Sequence, residues 1–499
     1  MNVMKFDLLF RDDSTPVSEC LLDDMLVRKI QKYVFGESQN LADSFRKVIA
    51  LPLTNINAIE KRQTILRELL SRRGWLEDIL SVLERAKNIQ RENRKNLYQR
   101  IDADQRLRIN LVAVIAQFSA IEDLNNLFNG QLFLCEDLRK IQIYFLKQDS
   151  FQKMKKDLVE IADFLKSKQY FAGNISFNDQ MKFKSMSLVS IKKEHNLQRV
   201  WKRYVGVSNY KRQEKQIVFS DNKTIERCLT QIGEKTTYHF CKVLSGIYSF
   251  FRTIFSELYD QLEFYMAAIT YIVYLEQHGF WYCFPEFVKT EKTIRTSGMY
   301  PLPLAIETNQ IISENDFGTK DDSIFIITGY NRGGKTTFLR SIGLNQILAQ
   351  AGVVVPSKHY VCSVFNNIVA HFPKNEDVEL KYGMFEREVA VLQRDLATIS
   401  TNALVLMNES FSSTTEDEGC TVVKEVLMAL AETNSTVFFV THFYKLANDI
   451  ADFNAALKSK ATAVNLVTAI YEKPSQRVNY KIIRGEPLPT YNINLSDFV

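Results

Sequence analysis

No proline falls between Pro52 and Pro285, so nearly half of the chain lacks the residue that most readily breaks a helix. The stretch is also poor in glycine and rich in Leu, Ile, Lys, Glu and Gln, which favour helices. Apolar residues recur at helical spacing across 58–83, with Ile59, Ile65, Leu66, Leu69 and Leu70 on one face. The pattern returns in 150–168, through Phe151, Met154, Leu158, Ile161, Phe164 and Leu165. A longer tract, 225–277, has candidate breaks at Gly233 and Gly246. One core cannot bury helices of such length end to end, so the pattern predicts helical arms.

Between the second and third tracts the texture differs. Residues 181–216 carry Lys182, Lys184, Lys192, Lys193, Arg199, Lys202, Arg203, Lys211, Arg212 and Lys215 against only Glu194 and Glu214. Phe183, Trp201, Tyr204 and Tyr210 are interleaved. Such a segment can neutralise phosphates and pack aromatic rings on sugars or bases. A solvated basic face on a helical insert has the same composition, and both readings stay open.

From about residue 323 short apolar runs alternate with helical patterns. Strands are predicted at 324–328, 368–372, 403–408 and 437–441, and helices near 337–350, 385–400 and 418–432. Residues 464–484 read as two more strands around a turn at 473–476. That alternation predicts a mostly parallel α/β sheet. At its start, Gly329-Tyr330-Asn331-Arg332-Gly333-Gly334-Lys335-Thr336 has the form G-x-x-x-x-G-K-[ST], after one strand and before one helix. In that context it predicts a phosphate-binding loop. Gly329, Gly333 and Gly334 let the backbone curl and aim N–H groups at phosphate oxygens. The helix adds its positive dipole end, reached also by Thr337. Lys335 supplies a cation and Thr336 a hydroxyl for Mg²⁺.

The apolar run 403–407 ends in Asn408-Glu409, placing polar groups at a strand end. Asn408 stands where a magnesium-holding Asp is usual, and offers an amide oxygen without charge. Glu409 is a candidate to orient or deprotonate an attacking water. His442, after the next strand, offers an imidazole within reach of a terminal phosphate. Taken alone, Glu409 reads better as a strand-end surface acid and His442 as a helix-capping or core histidine; their order one and two strands after the phosphate loop favours the functional reading.

These residues together resemble the ATPase of the DNA mismatch-repair MutS proteins, within the ABC class. Residues 328–340 are similar to T-G-P-N-M-G-G-K-S-T-x-x-R, 406–415 to L-x-D-E-x-G-R-G-T-S, and 440–443 to A-T-H-Y. Residues 346–356 resemble that family's next helix and V-P turn, and Gly298-Met299-Tyr300-Pro301 its G-R-H-P turn. Residues 41–70 and 279–287 resemble the two ends of its lever region. The resemblance implies an α plus α/β organisation: a short segment 1–40, a helical core and lever domain 41–290, and an ABC-type ATPase domain 291–499. It implies ATP and Mg²⁺ as ligands, an ATP-dependent homodimer, and DNA structure as the substrate of a clamp, with Lys192, Lys193, Lys202 and Arg203 as candidate DNA contacts.

The departures shape the expectation. Only about 40 residues precede the lever-like segment, so a mismatch-reading domain is not expected. Neither a nuclease-like extension nor C-terminal dimerisation helices are expected. Residues 381–388 align with the signature G-x-S-T-F-x-x-E, and Gly383 takes the place of a serine that reaches the partner's nucleotide, with Met384 beside it. With Asn408, this predicts weak or regulated hydrolysis. A nucleotide switch whose arms bind a protein partner is the alternative, and a small-molecule kinase a more distant one.

At 499 residues the chain should hold several domains. Its 46% apolar and 24% charged content is that of an ordinary soluble protein. No apolar run spans a bilayer and no signal peptide is evident, so a cytoplasmic location is expected. Seven scattered cysteines without a C-x-x-C pair argue against a zinc site, and a net charge of +5 permits nucleic-acid binding without requiring it.

Overall fold

The computed structural model describes residues 6–97, 103–146, 155, 156, 158, 170–177, 183–192, 222–290, 292–372, 384–397, 399, 401–411, 415–468 and 480–487. The chain divides into two compact units, one of residues 1–6 and 72–262, the other of 7–71 and 263–499.

The larger unit begins with α1 (Glu19–Asp24), α2 (Val27–Ile30), α3 (Gln39–Ile49) and α4 (Ile56–Leu70). Ser18 caps α1 by accepting the Leu21 N–H at 3.1 Å. The apolar pattern of 58–83 falls on two helices, because α4 stops at Ser71, whose hydroxyl bonds back to the Glu68 carbonyl at 2.7 Å.

The other unit carries α5 (Arg73–Leu97), α6 (Ala103–Phe128), α7 (Glu136–Leu146), strands β1 (Tyr170–Phe177) and β2 (Phe183–Lys192), and α8 (Asn222–Gln277) as far as Leu262. Trp75 packs on Phe128 and Phe133, and Phe118 on Phe251, giving this unit an aromatic core. Two sequence expectations are corrected here. α8 runs through 56 residues without a break at Gly233 or Gly246. A helical glycine costs about 1 kcal/mol. Fully burying a side chain such as Phe251, Ile254, Phe255 or Leu258 returns about 2 kcal/mol each. The proline-free stretch is also not all helix, since β1 and β2 pair as an antiparallel ribbon, Tyr170 opposite Lys192. The period-two run Ser185-Met186-Ser187-Leu188 and the Asn178-Asp179 dipeptide carried that signal. Of the tract 150–168, all but three residues lie outside the described ones.

The larger unit continues with β3 (Glu286–Phe287), β4 (Ile294–Met299), α9 (Leu302–Thr308), β5 (Asn315–Gly318), β6 (Ile324–Thr328), α10 (Lys335–Gln350), β7 (His359–Cys362), β8 (Asn367–His371), α11 (Met384–Leu396), β9 (Ala403–Asn408), α12 (Glu416–Glu432), β10 (Thr436–Val440), α13 (Tyr444–Asn448), α14 (Ile450–Ala456), β11 (Ala463–Thr468) and β12 (Ile482–Arg484). Six strands form one sheet in the order β12-β11-β6-β10-β9-β8, parallel throughout except at β12. Its middle strands are apolar runs buried end to end, as a sheet covered on both faces requires. The sequence reading missed the second sheet, β3-β7-β4-β5, whose strands are two to six residues long, none of them a continuous apolar run. It packs through Phe317, which touches Phe325, Phe338 and Phe438. Among the described residues no helix is long and apolar enough to cross a membrane.

Candidate functional site

β6, the central parallel strand, ends at Thr328 and the chain turns through Gly329 to Gly334 into α10. Gly329 (φ +123°) and Gly334 (φ +91°) hold conformations that side chains rarely adopt. At Gly329 a second reason appears: an added Cβ would lie 2.3 Å from the Thr468 hydroxyl oxygen of β11. Gly333 is held as tightly, 2.7 Å from Thr468 Cγ2 and 2.9 Å from the Tyr330 carbonyl. The loop therefore rests on β11, a support that the motif does not disclose. Gly334 caps α10 with no side-chain bond, which leaves the first N–H groups of the helix facing outward.

Lys335 is almost fully buried, and its ammonium donates to the carbonyls of Gly329 at 2.7 Å and Tyr330 at 3.1 Å. Burial pushes its pKa below the ordinary lysine value, while nearby Glu409 opposes that shift. The Thr336 hydroxyl donates to the Asn408 side-chain oxygen at 2.8 Å, joining the helix start to the end of β9. One residue on, the Glu409 carboxylate stands 2.8 Å from His442 Nε2, both side chains being about one-third exposed. That bond holds the Glu409 carboxyl below the usual carboxylate range, with a smaller contribution from the Lys335 charge. Glu409 also donates its N–H to the Val440 carbonyl at 2.8 Å, which ties it to the strand leading to His442.

A cavity of about 310 Å³ opens over this cluster, lined by Asn331 to Thr337 and by Glu409. The structure thus brings together Asn331, Arg332, Gly333, Gly334, Lys335, Thr336, Thr337 and Glu409, with Asn408 and His442 one bond behind. Gly329 lies beneath the loop and not at the cavity wall. Met384 begins α11 and Lys192 ends β2. Gly383, Lys193, Lys202 and Arg203 lie outside the described residues.

The far wall was not read from the sequence. Pro301, Leu304 and Ile312 give it an apolar side, and Tyr480 stands against Gly334, its Cβ 3.5 Å from where a glycine Cβ would be. Asn315, buried at the wall, accepts the Ile482 N–H at 2.8 Å and so fixes the strand beside Tyr480. These residues come from segments far apart in sequence, around the second sheet and before β12, hence their invisibility to a motif search. A cavity with donors and a cation at one end and an aromatic and apolar wall at the other suits a ligand with a phosphate end and a flat, weakly polar end.

Among the described residues no cluster of three or more His, Cys, Asp or Glu could hold a metal alone. The Thr336 hydroxyl and Asn408 amide oxygen are still a donor pair that a hard cation accepts beside phosphate oxygens. The residues fit a Mg²⁺ that arrives with phosphates, and less well one held by the protein itself.

Residues 325–498 match the family described as MutS domain V. That segment, about a third of the chain, is similar to the MutS family. It is 28% identical to human "MutS protein homolog 4" over 234 residues, 45% of this chain and 24% of that protein. It is 26% identical to "Endonuclease MutS2" of Bacillus velezensis over 227 residues, 45% of this chain and 27% of the relative. A third relative, "DNA mismatch repair protein MutS" of Clostridium kluyveri, is 25% identical over 222 residues, 43% of this chain and 25% of that protein. The match thus spans about a quarter of the length of these curated relatives.

Proposed function

We propose that this MutS-like chain binds ATP in the 310 Å³ cavity and hydrolyses it slowly, as an ATP-gated dimeric clamp on DNA structures. What carries the reading is convergence: loop amides, Lys335, the Thr336–Asn408 pair and the Glu409–His442 pair meet at one cavity wall. Lys335 leaves its two carbonyls for phosphate oxygens, and the helix start donates N–H bonds beside it. Thr336 and Asn408 would hold a magnesium that arrives with the phosphates, and it would supply charge neutralisation at the phosphoryl group. Glu409, ionised at neutral pH, accepts the proton of the attacking water, and His442 fixes the carboxylate's direction. Tyr480 and the Pro301–Leu304 wall receive the base.

The name of the Clostridium kluyveri relative supports a role in DNA repair, and the largely helical stretch 41–290 supplies the arms of that reading, with the ATPase at 291–499. ATP binding favours one arm arrangement and hydrolysis releases it. A second reading, a nearly inactive nucleotide switch with a protein partner, draws on the neutral Asn408 beside Thr336. Steady-state hydrolysis with no DNA, plain duplex and branched duplex, beside Glu409→Gln, separates the two. A rate that responds to DNA and collapses in the variant supports the clamp. Negligible turnover indifferent to DNA sinks it. Charge reversal at Lys192, Lys193, Lys202 and Arg203 then tests the arm, since unchanged DNA affinity would remove those residues from the proposal.

A further inference from the structure

The turn after β9 is unusual. Glu409 has φ +51° and Phe411 φ +65°, left-handed values that a bulky aromatic residue seldom takes. Such a turn persists only when its surroundings over-determine it. Ser410 does not help, because its buried hydroxyl has no hydrogen-bond partner among the described residues. Two other constraints do. The Phe411 ring is completely buried in the core cluster that also takes Val405, Met407 and Leu392. The Phe411 N–H donates to Glu388 Oε1 at 2.5 Å. Glu388 lies on α11, one turn after Met384, and its carboxylate is nearly buried, with His371 Nε2 of β8 at 3.8 Å from the same oxygen. α11 is held in turn by Val389, Leu392 and Leu396 against the same cluster.

We infer that Glu388 is a positioning residue for Glu409, and that the seating of α11 therefore sets whether Glu409 can serve a water. This rests on the hydrolytic reading of Glu409 given above. One end of the turn is tied by the Glu409 N–H to Val440, the other by the Phe411 N–H to Glu388. Between these ties the Glu409 carboxylate has one direction, onto His442 at the cavity. Without the second tie, Phe411 relaxes toward the right-handed region and the carboxylate leaves that direction. A shift of α11 by about 1.5 Å carries this 2.5 Å bond beyond hydrogen-bond reach, as a mutation would. A contact made at the start of α11 is thereby relayed to the water-orienting residue without touching the phosphate loop.

The test uses the full chain and the variants Glu388→Ala, Glu388→Gln and Glu388→Asp. Turnover, the affinity for a fluorescent ATP analogue and amide exchange of the peptide covering 409–411 are measured for each. Glu388→Ala should lower kcat at least tenfold with nucleotide affinity within twofold of the parent. Glu388→Gln keeps an acceptor oxygen and should stay within threefold. Glu388→Asp withdraws the oxygen by one methylene and should fall several-fold, which keeps the test open if the alanine variant does not fold. Exchange at Phe411 should quicken at least tenfold in Glu388→Ala, with or without nucleotide. Unchanged kcat in the alanine and aspartate variants, or kcat and affinity falling together, would overturn the inference. If Glu409→Gln leaves turnover intact while Phe411 exchange still depends on Glu388, the hydrolytic reading fails and the anchor stands.

Discussion

The two ends of α10 solve one problem in opposite ways. Every helix leaves backbone N–H groups unpaired at its start and carbonyls unpaired at its end. At the far end of α10 each is met inside the protein. Arg62 of α4 donates to the Ala351 carbonyl at 2.9 Å and to the Leu9 carbonyl, while the Leu53 N–H donates to the Gln350 carbonyl at 2.8 Å. The Gln350 side chain reaches both the Leu53 and Phe365 carbonyls at 2.9 Å and accepts the Phe365 N–H at 3.0 Å. Burial pushes Arg62 down to about 10, so it is still a cation at neutral pH, placed where the helix dipole is negative. At the near end the Gly334 cap offers no side-chain bond, and the cation beside it rests on loop carbonyls under a cavity. Equal backbone chemistry is spent on stability at one end and held for a ligand at the other.

Replacing Arg62 with leucine should break the sealed end. Two carbonyls lose their donors in a buried site, for a loss of about 4 kcal/mol of unfolding free energy, read by urea denaturation. Nucleotide affinity should stay within twofold, because the open end lies sixteen residues away along α10. An unchanged urea midpoint would mean that α10 is sealed by its glutamines alone.

Lys335→Ala should give the reverse pattern. Removing a buried cation that faces the phosphates should weaken ATP analogue binding about two-hundredfold, or about 3 kcal/mol. Stability should fall less than in the arginine variant, since Lys335 itself lines the open cavity. A large loss of stability with little loss of affinity would show that the lysine serves the loop and not a ligand.

The same contrast explains what could be read from the sequence. The open end was legible because glycines, Lys335 and Thr336 are local: strand, turn and helix are consecutive, and each residue type has one physical reason to be there. Asn408, Glu409 and His442 were legible for a similar reason, as strand ends in a parallel sheet lie side by side in chain order. The sealed end was not, since Arg62 and Ala351 are 289 positions apart and nothing about an arginine on an amphipathic helix marks it as buried. Tyr480 and Thr468 were missed on the same ground, and Glu388 was read only as the last residue of the signature-like run 381–388, without its bond to Phe411. Their roles depend on the register of β11 and β12 and on the seating of α11, which arise from packing. The unbroken α8 failed in the other direction: a local rule about glycine gave way to burial along the helix.

Asn408 is where the open end differs most in chemistry from a site that grips its metal. Its oxygen already accepts the Thr336 hydroxyl at 2.8 Å, so geometry is in place and only charge is absent. Asn408→Asp adds that charge with almost no change of shape. A carboxylate near a phosphate-bound Mg²⁺ strengthens its hold, and a tenfold gain corresponds to about 1.4 kcal/mol. The magnesium concentration giving half-maximal turnover should fall about tenfold. The added charge also stands near Glu409, and Lys335 between loop and strand offsets part of the repulsion. Stability without nucleotide should therefore drop slightly, and rise above the parent once ATP and Mg²⁺ are present. If the magnesium requirement does not move, the slow turnover proposed for this chain has its origin away from the Thr336–Asn408 pair, at the water-orienting turn held by Glu388.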